Sequence, residues 1–328
     1  MIPLSILDLA QVPEGCTPAD ALRNSRELIR HAERWGFQRY WVAEHHNMEG
    51  IASAATAVVI GNLAEATSTI RVGAGGIMLP NHSPLVIAEQ FGTLASLYPG
   101  RIDLGLGRAP GTDQRTMQAL RRHLSGSVDD FPRDVMELRN YFKPAQPGQA
   151  VVATPGAGTG VPLWILGSSL FGAGLAGVLG LPYAFASHFA PGYMEAAIAH
   201  YRERFEPSAQ LERPYLMLGY NVFAADSDAE ARFLQTSMMQ SFVRLRRGNP
   251  GKMAPPQAGY EETLSAAERQ MLAEVMRCSA VGSPASVAQQ MQAFIAATGA
   301  DELMITSPIF DHGKRLRSFE IVAGIGRE

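Results

Sequence analysis

The sequence has 328 residues, of which 46% are hydrophobic and 18% are charged, and its formal net charge is −3. These proportions are those of a folded globular chain rather than a disordered one. A weakly acidic chain also has no overall electrostatic attraction for nucleic acid or for an anionic membrane, so neither is expected as a partner.

The cysteines and histidines do not show metal-ligand spacing. Cys16 and Cys278 lie far apart, and no His-x-His or His-x-x-x-His pair occurs, so no metal site is expected. The N-terminal segment 1–15 lacks the basic region and long apolar core of a signal peptide. We therefore expect a reduced, cytoplasmic chain.

Residues 144–194 contain no Asp, Glu, Lys or Arg. Within this stretch, segment 165–186 is long enough to span a bilayer, which takes about 20 apolar residues. Several glycines and Pro182 inside it argue against one continuous helix. A membrane protein is thus the minor alternative.

Short apolar strands and amphipathic helices alternate along the chain. Strands are predicted at 2–8, 37–43, 69–75, 102–106, 163–166, 183–186, 215–222 and 301–306. Helices are predicted at 18–35, 52–66, 83–97, 112–123, 132–141 and 283–298. Capping residues support two of them, because Thr17 and Gly36 flank the first helix and Ser283 and Gly299 flank the last.

The pattern predicts an α/β fold with a parallel sheet, because its strands are nearly continuous apolar runs. Eight β/α units in a chain of this length favour a closed (β/α)8 TIM barrel, with insertion loops at its C-terminal face, over an open sheet. No shift in composition divides the chain, so residues 1–328 are expected to form one domain. The Gly- and Pro-rich segment 247–257 is either a simple insertion or a mobile lid.

In such a barrel, chemistry is expected at the C-terminal ends of the strands. Glu44, His45 and His46 follow the second strand. Adjacent side chains at a strand end point to opposite sides, so one imidazole is expected to face the barrel mouth. On the residues alone, a histidine here is either a catalytic group or a structural one.

The third and fourth strands end in glycine-rich segments. Residues 73–76 include three glycines, which let the backbone approach a flat ligand, although a tight turn would also use one or two. Arg108 lies among glycines and apolar residues, where it is placed to bind an anion rather than to be a solvated surface group.

The fifth strand ends in Gly167, Ser168 and Ser169, which open the next helix. A small polar turn of this kind offers N–H groups and hydroxyls to a phosphate, and an ordinary serine cap is the alternative. Arg108 and the lack of nearby carboxylates favour the phosphate interpretation.

In this order, the motifs resemble those of the bacterial-luciferase-like flavin monooxygenases, especially the single-chain alkanal-monooxygenase-like subgroup. The matching segments are 41–46, 72–80, 88–90, 100–108 and 282–284, and the resemblance covers nearly the whole chain. It implies a homodimeric barrel enzyme that takes reduced FMN from a separate flavin reductase. It further implies that O2 oxygenates a small organic substrate through a flavin C4a-peroxide.

The resemblance also implies roles for individual residues. His45 matches the family's active-site base, and an imidazole with its ordinary pKa of about 6.5 is suited to moving a proton. Gly75 and Gly76 match a non-proline cis peptide beside the isoalloxazine ring. Glu89 and Arg108 match flavin contacts, with Arg108 on the phosphate side.

Ser168 matches a phosphate-binding serine, and its neighbours Gly167 and Ser169 are assigned to the same phosphate site. The sequence departs from luciferase at Gly167, where luciferase carries a glutamate. It also departs at Ser187 and His188, where the family has a tryptophan. These differences set the chain apart from the light-emitting aldehyde reaction.

Two further interpretations stay open. Some members of the same superfamily transfer a hydride with a deazaflavin coenzyme and use no oxygen. The other is a non-catalytic, flavin-binding barrel. His45 argues against it, because a flavin-storage protein needs residues that bind the phosphate but no catalytic base.

Overall fold

The structure is a computed structural model that describes residues 1–109, 114–120 and 128–327. The strands of this part of the chain form one parallel sheet. They are β1 (Leu4–Asp8), β2 (Arg39–Val42), β3 (Arg71–Met78), β4 (Ile102–Gly107), β5 (Leu163–Gly167), β6 (Tyr183–Phe185), β7 (Leu216–Ala224), β8 (Ser279–Gly282) and β9 (Glu302–Thr306).

The sheet closes on itself without β8. Ile6 of β1 pairs with Tyr40 of β2 on one side and with Ile305 of β9 on the other, and β9 pairs in turn with β7. The remaining strands pair in chain order from β2 to β7. The fold is therefore a (β/α)8 TIM barrel, which confirms the prediction.

Helices surround this barrel. They are α1 (Pro18–Trp35), α2 (Thr56–Glu65), α3 (Pro84–Leu97), α4 (Gln114–Leu120), α5 (Phe131–Tyr141), α6 (Leu170–Leu179), α7 (Met194–Glu203), α8 (Asp228–Arg246), α9 (Ala266–Val275), α10 (Pro284–Thr298) and α11 (His312–Arg327). The start of α1 is a capping box, in which Thr17 and Asp20 bond to each other's backbone N–H, and Gly36 ends the helix at φ 79°.

The structure differs from the predicted elements in three places. β3 runs to Met78, so the glycine-rich segment is strand rather than turn, and α2 begins four residues late, at Thr56. β8 was not predicted because it is only four residues long and alternates in burial. Of the helix predicted at 112–123, α4 is described and the rest lies outside the described residues.

β8 lies beside the upper half of β7. Asn221 of β7 pairs with both Ser279 of β8 and Thr306 of β9, so β8 and β9 lie on opposite sides of β7. Because β6 also pairs with β7, at Leu216–Leu218, β8 continues the edge that β6 leaves open. The barrel wall is thus extended at its C-terminal end on the β6 side.

Buried ion pairs occupy the opposite end of the barrel. Arg39, the first residue of β2, bonds Asp103 of β4 at 2.8 Å and Glu302 of β9 at 3.1 Å, and both carboxylates are fully buried. Burial by itself lowers the pKa of Arg39, but the two carboxylates outweigh it and raise that pKa. These ion pairs are expected to serve stability rather than chemistry, because barrel active sites lie at the other face.

The charge-free stretch 144–194 has a structural explanation. Its first part, up to residue 162, is loop, and the next part holds the buried strands β5 and β6 with the ten-residue α6 between them. In the described residues, every helix falls short of the length and apolarity that a membrane crossing requires.

The segment 247–257 is held against the N-terminal part of the chain. The Met253 backbone N–H donates to Val12 O at 3.0 Å, and Met253 O accepts from the Glu14 N–H at 2.8 Å. The Lys252 ammonium donates to Cys16 O at 2.9 Å. These contacts fit an ordered insertion, and movement as a lid stays a prediction.

Candidate active site

Glu44 is the centre of a hydrogen-bond cluster at the C-terminal end of β2. One of its carboxylate oxygens accepts from Nε2 of His46 at 2.6 Å and from Nε2 of His82 at 2.9 Å. The other oxygen accepts from the Met78 backbone N–H at 3.0 Å, and the Glu44 N–H donates to Gly76 O at 3.3 Å. The cluster therefore joins the end of β2 to the end of β3.

The Glu44 carboxylate is ionised in this setting. Burial by itself raises its pKa, but the hydrogen bonds from His82, Met78 and His46 outweigh burial and lower that pKa. An ionised carboxylate only accepts, so both imidazoles carry their proton on Nε2.

The same three side chains could hold a metal ion. Their ligand atoms lie within 4.8 Å of one another, and two imidazoles with one carboxylate are a common ligand set. Sequence spacing did not reveal the cluster because His46 and His82 come from different loops. Three donors already satisfy Glu44, so the geometry is complete as a hydrogen-bond network.

His45 and His46 have different partners, as alternation at a strand end predicts. His46 bonds Glu44, whereas His45 is close enough to His188, after β6, for its charge to lower the pKa of that residue. His45 is itself half-buried. The predicted base thus lies between the ends of β2 and β6, on the mouth side of the barrel.

The glycines of β3 are required by close neighbours. The Gly75–Gly76 peptide bond is cis, which is what the resemblance implies. A Cβ at Gly76 would fall 2.6 Å from Gly105 O, and a Cβ at Gly75 would lie 3.0 Å from side-chain atoms of Leu7 and Trp41. A side chain is therefore sterically excluded at Gly76 and crowded at Gly75.

Arg108 and the start of α6 form a positively polarised corner. The Arg108 guanidinium lies 4.1 Å from the ring centroid of Phe171, in the first turn of α6, and makes no ion pair with any residue that the structure describes. Ser169 occupies the N-cap position without a side-chain capping bond, after half-buried Gly167 and Ser168. A free guanidinium beside an uncapped helix N-terminus is suited to an anion.

Strand register brings these segments together along one arc of the rim. Met78 of β3 pairs with Gly107 of β4, which pairs with Leu166 of β5. The glycine segment, Arg108 and the serine turn are therefore neighbours. Glu89 lies apart from these segments. It is half-buried in the second turn of α3, and no hydrogen bond or ion pair between described residues links it to this arc.

His188 is a residue of this rim that sequence reasoning did not assign to the site. Burial, and then the charge of His45, lower its pKa to about 4. Its ring packs so closely on Gly219 of β7 that a Cβ there would lie 2.0 Å from Nδ1. The only signal in the sequence is a glycine within an otherwise bulky, fully buried strand.

A closed β/α barrel with histidines, a glycine-rich strand and a positively polarised corner along one rim is an architecture typical of barrel enzymes. The chain belongs to the luciferase-like monooxygenase family, because the profile described as "Luciferase-like monooxygenase" matches residues 2–302. A protein of Escherichia coli K12 with that same description is 54% identical over 327 residues, which cover 100% of this chain and 98% of the relative.

Two further relatives are close in sequence. The N-acetyl-S-alkylcysteine monooxygenase of Bacillus subtilis is 38% identical over 239 residues, or 70% of each chain. The crystal structure of apo-MsnO8 is 38% identical, covers 100% of this chain and 99% of its own, and superposes with a TM-score of 0.92.

Cofactor-bound proteins share the fold at lower identity. The oxygenating constituent of 3,6-diketocamphane monooxygenase, from Pseudomonas putida and in complex with FMN, has a TM-score of 0.73 at 17% identity over 98% of this chain and 96% of its own. An F420-dependent secondary alcohol dehydrogenase has a TM-score of 0.67 at 16% identity over 100% and 99%. These two comparisons show a shared fold.

Proposed function

We propose that this protein is an FMN-dependent monooxygenase that uses O2 to oxygenate a small organic substrate. The observation that carries the proposal is the corner formed by Arg108 and the α6 N-terminus. A guanidinium with no ion pair in the described chain, beside an uncapped helix start, fits the terminal phosphate of FMN. Ser168 and Ser169 would add hydroxyl donors, and Gly167 leaves room beside them.

The neighbouring segments fit the flat part of the same cofactor. Gly75 is half-buried and lies along the rim from Arg108, so a planar ring could lie against the backbone of this segment, with buried Gly76 beneath it. Glu89, one helix further out, would contact the cofactor from α3. Bound reduced FMN would supply the two electrons with which one atom of O2 enters the substrate and the other becomes water.

His45 would manage the proton at the reacting centre. It is half-buried at the barrel mouth, and Glu44 fixes the backbone from which it extends. An imidazole titrates near neutral pH, so it can accept and return a proton under working conditions. Its place inside the mouth also keeps bulk water from the reacting atoms.

The wider context of the enzyme belongs to the same proposal. We propose one domain over residues 1–328, a cytoplasmic location and a separate flavin reductase that delivers reduced FMN. A homodimer through α2 and α3 would cover apolar side chains that are exposed in one chain, because Val58 is 74% and Leu97 is 63% exposed.

The test compares FMN with riboflavin, which lacks the phosphate. Arg108→Ala removes a charged hydrogen-bond partner worth about 1.5–3 kcal/mol, which is about tenfold to hundredfold in Kd. We expect fluorescence titration to show that loss for FMN and a change below about twofold for riboflavin. Arg23→Ala, an exposed arginine of α1 paired with Asp20, is the control. Equal losses for both ligands would overturn the phosphate site.

The remaining alternatives separate in one further experiment. Wild-type protein is supplied with FMN, a flavin reductase and NADH, with and without O2, and in parallel with reduced deazaflavin. O2-dependent product formation with FMN supports the proposal, and O2-independent hydride transfer from deazaflavin supports the other coenzyme. FMN binding without either reaction would indicate the non-catalytic barrel.

A further inference from the structure

The backbone of His188 is held by a hydrogen bond from β7, and the donor of that bond is in turn held by β9. Nδ2 of Asn221 in β7 donates to His188 O at 2.8 Å, and Asn221 is itself fixed by the Thr306 hydroxyl of β9 at 3.1 Å. The preceding Ser187 donates its hydroxyl to Gly219 O at 2.7 Å. These bonds hold the backbone of His188, and the ring itself packs against Gly219, so little rearrangement is needed before the imidazole binds a ligand.

The two ring nitrogens of His188 have different surroundings. Nδ1 is buried against Gly219 and has no hydrogen-bond partner in the described chain. Nε2 also lacks a protein partner in the described chain, but it is not among the buried unpartnered atoms, so it keeps some exposed surface after the end of β6. Buried N–H groups without an acceptor are rarer than buried acceptors without a donor. The proton of the neutral ring therefore belongs on Nε2.

The ring stays neutral at working pH. Burial disfavours its cation, and the charge of His45 disfavours it further, so the pKa of His188 falls to about 4. His45 is the titratable or charged neighbour that acts on this ring in the described chain. The His188 imidazole therefore offers an N–H donor that is present throughout the working pH range.

We propose that His188 binds the organic substrate by donating a hydrogen bond from Nε2 to an uncharged acceptor, such as an amide carbonyl. The proposal rests on the monooxygenase function proposed above, because it places substrate beside His45. It assigns His188 no proton transfer. It predicts that substrates without an uncharged hydrogen-bond acceptor for His188 bind less tightly than substrates that carry one.

The first test reads the ring without any turnover. In protein labelled with 15N-histidine, two-bond 1H–15N correlation spectra distinguish the two neutral tautomers and the cation. We expect His188 in the Nε2–H form throughout pH 5.5–8. An Nδ1–H tautomer, or a cation at pH 6, would overturn the proposal whether or not FMN binds.

The second test measures binding of N-acetyl-S-methylcysteine, which carries an amide carbonyl and a thioether, to protein loaded with oxidised FMN. We expect calorimetry to show a Kd about tenfold weaker for His188→Phe, which keeps a ring but has no donor. His188→Gln should restore most of the affinity, because its amide nitrogen reaches the place of Nε2. His188→Asn reaches only the place of Nδ1 and should restore nothing.

Three outcomes would contradict the proposal. They are an Nε2–H resonance that the probe leaves unchanged, a Phe variant that binds the probe as tightly as wild type, and equal affinities for the Gln and Asn variants. A shift of that resonance by FMN alone would assign the bond to the cofactor instead. Failure of FMN to bind would count against the proposed function and leaves the tautomer measurement as it stands.

Discussion

Glu44 is expected to be the side chain at the rim whose loss costs most stability. In Glu44→Ala, the buried Met78 N–H loses its acceptor, which costs about 1–3 kcal/mol. The imidazoles of His46 and His82 lose theirs too, but their side chains are 16% and 26% exposed and can turn to water. With a small cavity added, we expect a loss of about 3 kcal/mol in the free energy of unfolding.

Glu44→Gln is the informative partner of that variant. The glutamine oxygen can accept from the Met78 N–H, and its NH2 can donate to both imidazoles once these move their proton from Nε2 to Nδ1. The bond from Met78 is then kept as it is and the two imidazole bonds are kept in reversed direction, so we expect a loss of only about 1 kcal/mol. Glu49→Ala, an exposed neighbour, is the control and should cost below about 0.5 kcal/mol.

Acid pH separates the contribution of the Glu44 charge to stability from that of its hydrogen bonds and packing. The pKa of Glu44 is lowered in the fold, so its contribution to stability is present above the ordinary value of 4.5 and is lost as the pH falls through the folded-state pKa. Urea unfolding from pH 6 to pH 3 should therefore show a shallower acid loss in Glu44→Gln than in wild type. Equal acid slopes, or a loss below 1 kcal/mol in Glu44→Ala, would refute the reasoning.

Three further predictions concern other parts of the barrel. Gly76→Ala would bring a Cβ to 2.6 Å from Gly105 O, so thermal unfolding should show a loss of about 2–3 kcal/mol, and wild-type stability would contradict it. Asp8→Asn leaves buried Arg315 without its 2.8 Å partner and should cost about 3–5 kcal/mol in urea unfolding, whereas under 1 kcal/mol would be inconsistent. For the homodimer proposed above, Leu97→Asp should halve the mass that light scattering gives for the wild type, and a variant that stays dimeric would exclude this part of α3 as the interface.

The barrel could be predicted because its strands obey a local rule. Parallel strands covered on both faces are short apolar runs, and each run can be recognised from its own residues, without knowledge of the strands that pair with it. β8 breaks that rule, since it is four residues long, alternates in burial and exists only because β7 extends beyond β6. An element whose pairing depends on the length of a distant strand has no signal of its own.

Candidate site residues could be proposed from the sequence where residue type and the family resemblance point to a chemical role. Gly75 and Gly76 and the arginine that follows β4 stand out in sequence because few other roles need them there. His188 and His82 do not, because a lone histidine after a strand is common. Their meaning comes from Gly219 and from Glu44, which lie far away in the sequence and meet them only in the fold.

The rim is divided by where its carboxylates are. On the β4 and β5 side, stretch 144–194 contains no acid, and Arg108 makes no ion pair with a residue that the structure describes, so we expect its charge to attract an anionic ligand. On the β2 and β3 side, the buried carboxylate of Glu44 accepts hydrogen bonds from three protein donors, which offset part of its negative charge. An added acid at Gly167 has room, since a Cβ there meets nothing closer than 3.7 Å, and would compete directly for the guanidinium. Gly167→Glu should therefore weaken FMN more than riboflavin, in the same direction as Arg108→Ala, and an unchanged ratio of the two affinities would remove Arg108 from the phosphate site.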